Sequence, residues 1–244
     1  MVLIRIAGMF IFNPILGRSN IPTIAKMGVI LFLTIPIAGT LYSITNIQVI
    51  GLLDLGFIAV FELAIGLIIG SVFRIFSGVF VVSGEIVDMQ MGLGMAKVLD
   101  PVSNIQMPIS GSIFNLIYML FFFSTNAHLT LIDIIYTSFQ MIPLGFTEIN
   151  PEVWIYSAKL ISQVMGLGLK LSLPIMAAII LNDLSIGILM KTVPQINVFV
   201  INIQFKIVFG LIMLYLTLVP ISEFIDKILK IVFENVNLII QRIA

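Results

Sequence analysis

The sequence predicts an all-α protein that is embedded in a membrane and crosses it several times. Its composition is the first reason: hydrophobic residues make up 60% of the 244 residues and charged residues only 10%, whereas a soluble domain carries about 25% charged residues. The second reason is that several apolar runs approach the roughly 20 residues that a helix needs to cross a bilayer. The third is that turn-forming segments separate these runs, namely "NPILGRSNIP", "LDPVSNIQMP", "IPLGFTEINP" and "KTVPQIN".

The apolar runs predict the helices in chain order. Residues 1–16 predict a short first helix that is retained, because Pro14 interrupts the apolar run and no small-x-small cleavage site follows it. Longer helices are predicted at 27–50, 55–83, 112–142, 155–190 and 196–221, and a more polar one at 222–243. Pro36 and Pro174 fall inside their runs and predict kinks or breaks there.

One segment is too long for a simple membrane span. No proline occurs between Pro36 and Pro101, so Gly56 to Lys97 fit one helix about 60 Å long, about twice the hydrocarbon thickness. Such a helix must bend, end early, or lie partly outside a bilayer. Gly66 and Gly70 form a GxxxG pattern that suits a close helix contact, either within this chain or with another subunit.

Two sets of polar residues recur at helical spacing and therefore lie on one side of their helices. They are Lys159, Gln163, Gly166 and Lys170, and then Glu223, Lys227, Lys230, Glu234, Asn237 and Gln241. The second set fits an amphipathic helix at a membrane surface with its polar side in water. It also fits a hydrated helix surface that faces a partner protein or a pore.

Composition and motifs exclude several classes of function. The chain has no cysteine and a single histidine, His128, so it offers neither thiol chemistry nor a site with several histidine ligands. Its net charge is zero, which gives no support to nucleic-acid binding. The sequence contains no phosphate loop or nucleophile elbow. We therefore predict that the protein is not an enzyme and uses no cofactor or metal.

Ionisable residues within apolar runs are functional candidates, because a charge at membrane depth costs several kcal/mol unless it is paired or hydrated. Acids and bases are equal in number and interspersed, which predicts ion pairs between packed helices for Asp183 and Lys206. The same role is predicted for Glu62, Arg74, Glu85, Asp88 and Lys97. An ion-coupled transporter would instead use such groups as a relay around broken helices.

The central stretch "GEIVDMQMGLGMAKVLDPVSNIQMP", residues 84–108, interrupts the apolar chain with pliable and polar residues. Methionine adapts to partners of different shape, so Met89, Met91 and Met95, with Gly92 and Gly94 between them, make a deformable surface. The loop that follows cannot face lipid, because lipid leaves its backbone groups unsatisfied. A closable passage for polypeptides would need such a segment, although the residues by themselves favour an ordinary extramembrane loop.

Several segments match, in order and spacing, a known family. They are "SGEIVDMQMGLGMAKVLDP", Met107-Pro108, "TNAHLTLI", "SFQMIPLG", Leu173-Pro174, Asn182 and "PQINVFVINIQFKIVFG". On these segments the chain resembles the FliR family, the flagellar biosynthetic proteins of the type III export gate. Ala127 departs from the family, which often has glycine between the asparagine and histidine at this point.

The resemblance implies a core subunit of the flagellar type III export gate, in the bacterial inner membrane at the basal body. Such a subunit forms part of the channel for unfolded export substrates. Its partners would be two smaller polytopic gate proteins in multiple copies, other export-apparatus membrane proteins and lipid. Its bent or broken helical hairpins would wind with theirs into a helical channel assembly. Residues 1–150 would correspond to one small partner and residues 151–244 to the other.

The resemblance also implies a plug that obstructs the closed channel. It would consist of Asp100, Pro101, Val102, Ser103, Asn104, Ile105, Gln106, Met107, Pro108 and Gly111. Met89, Met91, Gly92, Gly94 and Met95 would then line or pack the channel. The alternatives are the equivalent subunit of a virulence secretion system, an ion-coupled secondary transporter, and a scaffold without a passage of its own.

Overall fold

The protein is all-α, as the sequence predicts. A computed structural model describes residues 1–41, 51–94, 108–145, 150–192 and 198–243. Within these ranges it contains eight helices and no strand. The helices are α1 (Val2–Phe12), α2 (Thr23–Leu41), α3 (Leu52–Met91), α4 (Ile109–Ser124), α5 (Ala127–Met141), α6 (Glu152–Thr192), α7 (Val198–Leu216) and α8 (Leu218–Ile243).

Three helices are long and apolar enough to cross a membrane, and they are α2, α3 and α6. Two helix pairs, α4 with α5 and α7 with α8, are apolar enough when each pair is taken together, but a bend of more than 40° interrupts each of them. The described ranges therefore offer three spans, or up to five if each bent pair is one span. Bent helices in an apolar chain are what the sequence predicts.

The run predicted as one helix at 112–142 is two helices. The chain breaks between Ser124 and Ala127, where Asn126 adopts a left-handed backbone with φ of 57°. Asparagine is one of the few non-glycine residues that tolerates this conformation. The N–H of Leu129 then donates to the carbonyl of Asn126 at 2.9 Å and starts the next helix.

Two prolines lie inside continuous helices, and a third lies at the start of a helix. Pro36 and Pro174 do not break their helices, because α2 and α6 continue through them. Pro220 lies in the first turn of α8, where a helix does not need the missing N–H. The boundary between α7 and α8 consequently falls at Thr217, rather than between residues 221 and 222 as predicted.

The long helix α3 runs without interruption for 40 residues, about 60 Å at 1.5 Å per residue. Gly92 ends it with φ of 82°, and the N–H of Gly92 donates to the carbonyl of Met89. A left-handed residue after the last turn is a common helix terminator, and glycine adopts it without strain. The first turns of α3 are bare, since Leu52 and Leu53 are 91% and 81% exposed.

The chain forms two compact units. The first unit consists of Met1–Ser77, Phe122–Ser162 and Ile228–Ala244, and the second of Gly78–Phe121 and Gln163–Lys227. Each unit draws on both sides of the predicted division at residues 150 and 151. The correspondence of residues 1–150 and 151–244 to two partner proteins stays a prediction.

Glycines allow α1 and α3 to pack with their backbones in contact in the first unit. A Cβ on Gly66 would overlap the carbonyl of Arg5, and one on Gly70 would lie 2.6 Å from the carbonyl oxygen of Met9. A Cβ on Gly8 would lie 2.7 Å from the carbonyl oxygen of Leu63. The GxxxG pattern therefore serves packing within this chain, which is one of its two predicted uses.

Helix α8 buries its apolar side within the chain itself. Its most buried residues are at most 4% exposed, and they are Ile221, Ile225, Ile228, Leu229, Val232, Val236, Ile239, Ile240 and Ile243. In the first unit, Phe233 also meets Phe73 edge to face, with ring centres 6.1 Å apart. All six polar residues predicted to share one side of this helix are exposed. Helix α8 therefore does not need lipid to cover its apolar side.

Candidate functional site

The candidate site lies where the predicted plug joins the helices of the second unit. Residues 100–107 of that plug fall outside the described ranges, as do Met95 and Lys97. The structure places Pro108 and Gly111 beside Gly84 and Asp88 of α3. We call Gly84, Asp88, Pro108, Ser110 and Gly111 the plug root, because they flank the segment that is predicted to contain the plug.

Asp88 is the polar centre of the plug root. Its carboxylate accepts hydrogen bonds from the N–H of Ile109 at 2.6 Å and from the N–H of Ser110 at 3.2 Å. The Ser110 hydroxyl donates to the same carboxylate at 2.5 Å. Asp88 is 2% exposed and Ser110 is 1% exposed, so water does not compete for these bonds. The carboxylate therefore binds three donors at once.

This arrangement caps α4 from a different helix. The first N–H groups of a helix have no partner within it, and its N-terminus carries a partial positive charge. A buried carboxylate satisfies both the donors and the charge. Because Asp88 belongs to α3, the cap also ties the end of α3 to the start of α4. The cap thus holds Asp88 of α3 against Ile109 and Ser110 of α4.

The two helices cross at glycines beside this cap. A Cβ on Gly84 would overlap the backbone nitrogen and Cα of Gly111. A Cβ on Gly111 would lie 2.7 Å from Cγ of Pro108 and 2.9 Å from the carbonyl oxygen of Phe80. Backbone contact of this kind is possible only without side chains. At the plug root, α3 and α4 are therefore in backbone contact.

The methionines near the plug root have different environments. Met91 is fully buried and packs against Gly210 of α7, where a Cβ would lie 2.6 Å from the Met91 Cγ. Met89 is 68% exposed. Gly92 and Gly94 follow at the end of α3 and are partly exposed. Met91 thus packs within the second unit, and Met89 presents an exposed apolar side chain, so the lining of a channel by Met89 stays a prediction.

Replacing Asp88 by alanine should weaken the cap of α4. We expect a loss of about 1–2 kcal/mol in stability, because a cap is lost and the amide donors stay buried. Asp88→Asn should lose less, since one amide oxygen can still accept. Thermal unfolding of the purified protein complex in detergent would measure both. Equal stability of Asp88→Ala and the wild type would show that the cap does not hold the two helices together.

A second buried polar cluster lies in the first unit. Nε of Arg5 lies 2.6 Å from Oε2 of Glu62, and both side chains are fully buried. Nη1 of Arg5 donates to the carbonyls of Ser138 and Ile142, each at 2.9 Å. The other oxygen of Glu62 accepts from the N–H of Gly145 at 3.1 Å. The pair therefore joins α1 and α3 to the end of α5 and the turn after it.

The other charged candidates lie in different settings. Asp183 and Lys206 form an ion pair at 2.9 Å between α6 and α7. Arg74 is exposed and lies over the ring of Phe12, 5.7 Å from its centre, and it makes no ion pair with another residue that the structure describes. Glu85 is half-buried on α3. Asp88 was predicted to form an ion pair, but within the described ranges it makes the hydrogen bonds of the α4 cap instead.

Sequence reasoning missed Arg5, Ser110 and Gly84. Arg5 is an isolated base in an apolar first helix, and that isolation is the one signal that could have marked it. Ser110 carries no such signal, because its partner is 22 residues away and no local pattern connects them. Among the residues described, no group of three or more His, Cys, Asp or Glu side chains could hold a metal ion.

Comparison with a family model and with individual known proteins points to one family. The family model described as "Bacterial export proteins, family 1" matches residues 1–231. The chain is 30% identical over 240 residues to flagellar biosynthetic protein FliR of Bacillus subtilis (strain 168), covering 97% of this chain and 92% of that protein. It is 27% identical over 232 residues to the FliR of Escherichia coli (strain K12), covering 95% and 88%. For the FliR of Aquifex aeolicus (strain VF5) the identity is 25% over 217 residues, covering 88% and 82%.

Proposed function

The chain belongs to the bacterial export proteins, family 1, and we infer from this membership that it is the FliR-type subunit of a flagellar type III protein export gate. The observation that carries the inference is similarity along nearly the whole chain to relatives named flagellar biosynthetic protein FliR. Their names favour a flagellar over a virulence system. They also describe biosynthesis of an organelle rather than a catalysed reaction.

We further propose that this subunit forms part of the channel for unfolded export substrates across the inner membrane. Exposed apolar side chains support its assembly with other membrane proteins. In α2, Ile24 and Phe32 are 87% and 74% exposed. At the start of α3, Leu52 and Leu53 are similarly exposed. Large contiguous apolar surfaces mark contacts with proteins or lipid. Two smaller polytopic gate proteins in multiple copies are the proposed partners.

Affinity purification tests this function. The tagged chain, expressed from its own locus and extracted in mild detergent, should bring with it two smaller hydrophobic proteins in several copies. Deleting its gene should stop export of flagellar proteins, and the wild-type gene should restore it. A chain that purifies alone while export continues without it would contradict the proposed function. Substrate uptake by vesicles that contain this chain alone would indicate a secondary transporter instead.

The plug root supports the proposal that the segment from Asp100 to Gly111 closes the channel at rest. A plug needs fixed ends, so that it returns to one position. The cap of α4 by Asp88 and the backbone contact of Gly84 with Gly111 would hold those ends in place. The sequence between those ends has Ser103, Asn104 and Gln106, whose polar groups suit water in a passage rather than lipid.

Replacing residues 100–107 by a Gly/Ser segment of equal length should make the assembled gate leak. The root stays intact in this variant, so the subunits should still assemble, but a segment without bulky side chains should obstruct the passage poorly. Membrane potential in cells and dye efflux from vesicles would measure the leak. As a control, the amount of assembled complex should equal that of the wild type. An assembled complex that stays tight would contradict the plug role.

A further inference from the structure

A groove lined by a lysine lies in the second unit, where α6 passes the bend between α7 and α8. Its volume is about 200 Å³, and it is lined by Lys170, Leu171, Pro174, Thr217, Pro220, Ile221 and Phe224. Apart from Lys170 and the Thr217 hydroxyl, which donates to the carbonyl of Leu214, the lining is apolar. We call this feature the lysine groove. It has no part in the plug root.

Two prolines and the helix break account for the groove. The bend at Thr217 is 60°, and Pro220 occupies the first turn of α8 beyond it. A proline ring lacks an N–H and fills less space than Leu or Phe, so Pro174 and Pro220 leave a recess between the helices. Such a recess in a membrane protein must be filled, because an empty apolar groove loses packing contacts along its whole lining.

Lys170 has no acidic partner within the described ranges. It is exposed, in contrast to Lys206, which is paired with Asp183. An ammonium group in an apolar chain is costly unless an anion or water meets it. The groove therefore combines one unpaired positive charge with an apolar trough. An occupant with an anionic group next to an apolar chain would complement both features.

A second groove in the first unit provides the contrast. It has about 240 Å³ and is lined by Leu33, Pro36, Ile37, Thr40, Ile132, Asp133 and Tyr136. Its size and its proline resemble those of the lysine groove, but its charged residue is Asp133, which is exposed. A carboxylate repels an anionic occupant. The two grooves are similar in size and differ in charge, so an anionic ligand should bind the lysine groove in preference to the groove at Asp133.

We propose that the lysine groove binds an anionic phospholipid, with the lipid phosphate at Lys170 and part of an acyl chain along Pro174, Pro220 and Phe224. Bilayer lipid is the one component that always surrounds a membrane protein and carries both groups. Basic sites between transmembrane helices bind anionic headgroups by the same attraction. Lipid binding at this site is a property separate from protein export, and it depends neither on the plug nor on channel formation.

Native mass spectrometry of the purified complex tests this site. The complex would be placed in nanodiscs with equal amounts of phosphatidylglycerol and phosphatidylcholine, and the lipids retained after release would be counted. The wild type should retain phosphatidylglycerol preferentially. Lys170→Gln should reduce that retention about fivefold, the effect of one lysine near an anionic lipid, whereas Lys170→Arg should keep it.

Lys159→Gln is the matched control. Lys159 is exposed on the same helix and in the same polar set, but it does not line the groove, so this variant should retain lipid as the wild type does. Equal retention of the two lipids by the wild type would overturn the proposal, as would equal losses in Lys159→Gln and Lys170→Gln. Excess glycerol 3-phosphate should not displace the lipid. Displacement would mean that the site binds phosphate without the acyl chain.

Discussion

Replacing Arg5 by methionine is expected to lower the stability of the first unit by about 3–5 kcal/mol, since it leaves the Glu62 carboxylate buried without its cation. Glu62 is 0% exposed and cannot turn to water. The carbonyls of Ser138 and Ile142 lose their donor in the same variant. Arg5 also lies over the ring of Phe139, 4.4 Å from its centre, and this contact disappears too. The expected readout is a large drop in the thermal midpoint and in the amount of protein in the membrane.

Arg242→Met is the control, because it breaks another arginine–glutamate pair in the same unit. Nη1 of Arg242 lies 3.0 Å from Oε2 of Glu152, but these side chains are 39% and 64% exposed. Exposed pairs contribute about 0–1 kcal/mol, so this variant should stay close to the wild type. The double change Arg5→Met with Glu62→Leu should recover much of the loss by removing both charges. If Arg5→Met and Arg242→Met were equally stable, burial of the first pair would not matter.

Gly84→Ala is expected to force α3 and α4 apart at the plug root. The new Cβ would occupy the position of the Gly111 backbone, and a backbone cannot yield as a side chain can. Overpacking of this kind costs about 1–3 kcal/mol. The shift would also lengthen the hydrogen bonds from Ile109 and Ser110 to Asp88. We therefore expect lower stability together with a leak of small solutes through the assembled gate.

Gly56→Ala serves as its control on the same helix. A Cβ on Gly56 would meet nothing within 4 Å, and alanine is favoured over glycine in a helix by about 1 kcal/mol. This variant should be as stable as the wild type or slightly more stable. Thermal unfolding in detergent and dye efflux from vesicles would compare the two. A tight, stable complex with Gly84→Ala would show that the helix crossing has room to adjust.

The sequence predicts the fold class and the long helices well, because composition and run length depend on local residues alone. The run at 155–190 becomes the single helix Glu152–Thr192. The break at Asn126 escaped prediction, since no proline or glycine marks it. The GxxxG pattern indicated a close helix contact, but only the structure shows that α1 fills it.

The candidate site was less predictable, because long-range contacts decide its chemistry. Asp88 was predicted to form an ion pair between helices, yet its partners are the backbone amides of Ile109 and Ser110 and the Ser110 hydroxyl. Nothing in the spacing of residues 88 and 110 distinguishes a helix cap from an ion pair. Likewise the partner of Glu62 is 57 residues away in α1. The plug residues 100–107 stay a prediction.

The exposed apolar side chains in the first turns of α3 have a consequence for the amount of this protein that accumulates in a cell. Leu52, Leu53 and Phe57 expose most of their surface in the isolated chain, and an exposed apolar surface of this kind favours aggregation when no protein or lipid covers it. Copies made in excess of their partner proteins should therefore be degraded faster than assembled copies, and balanced synthesis should prolong their lifetime. The supply of neighbours, rather than the expression of this gene, would then set its steady-state abundance.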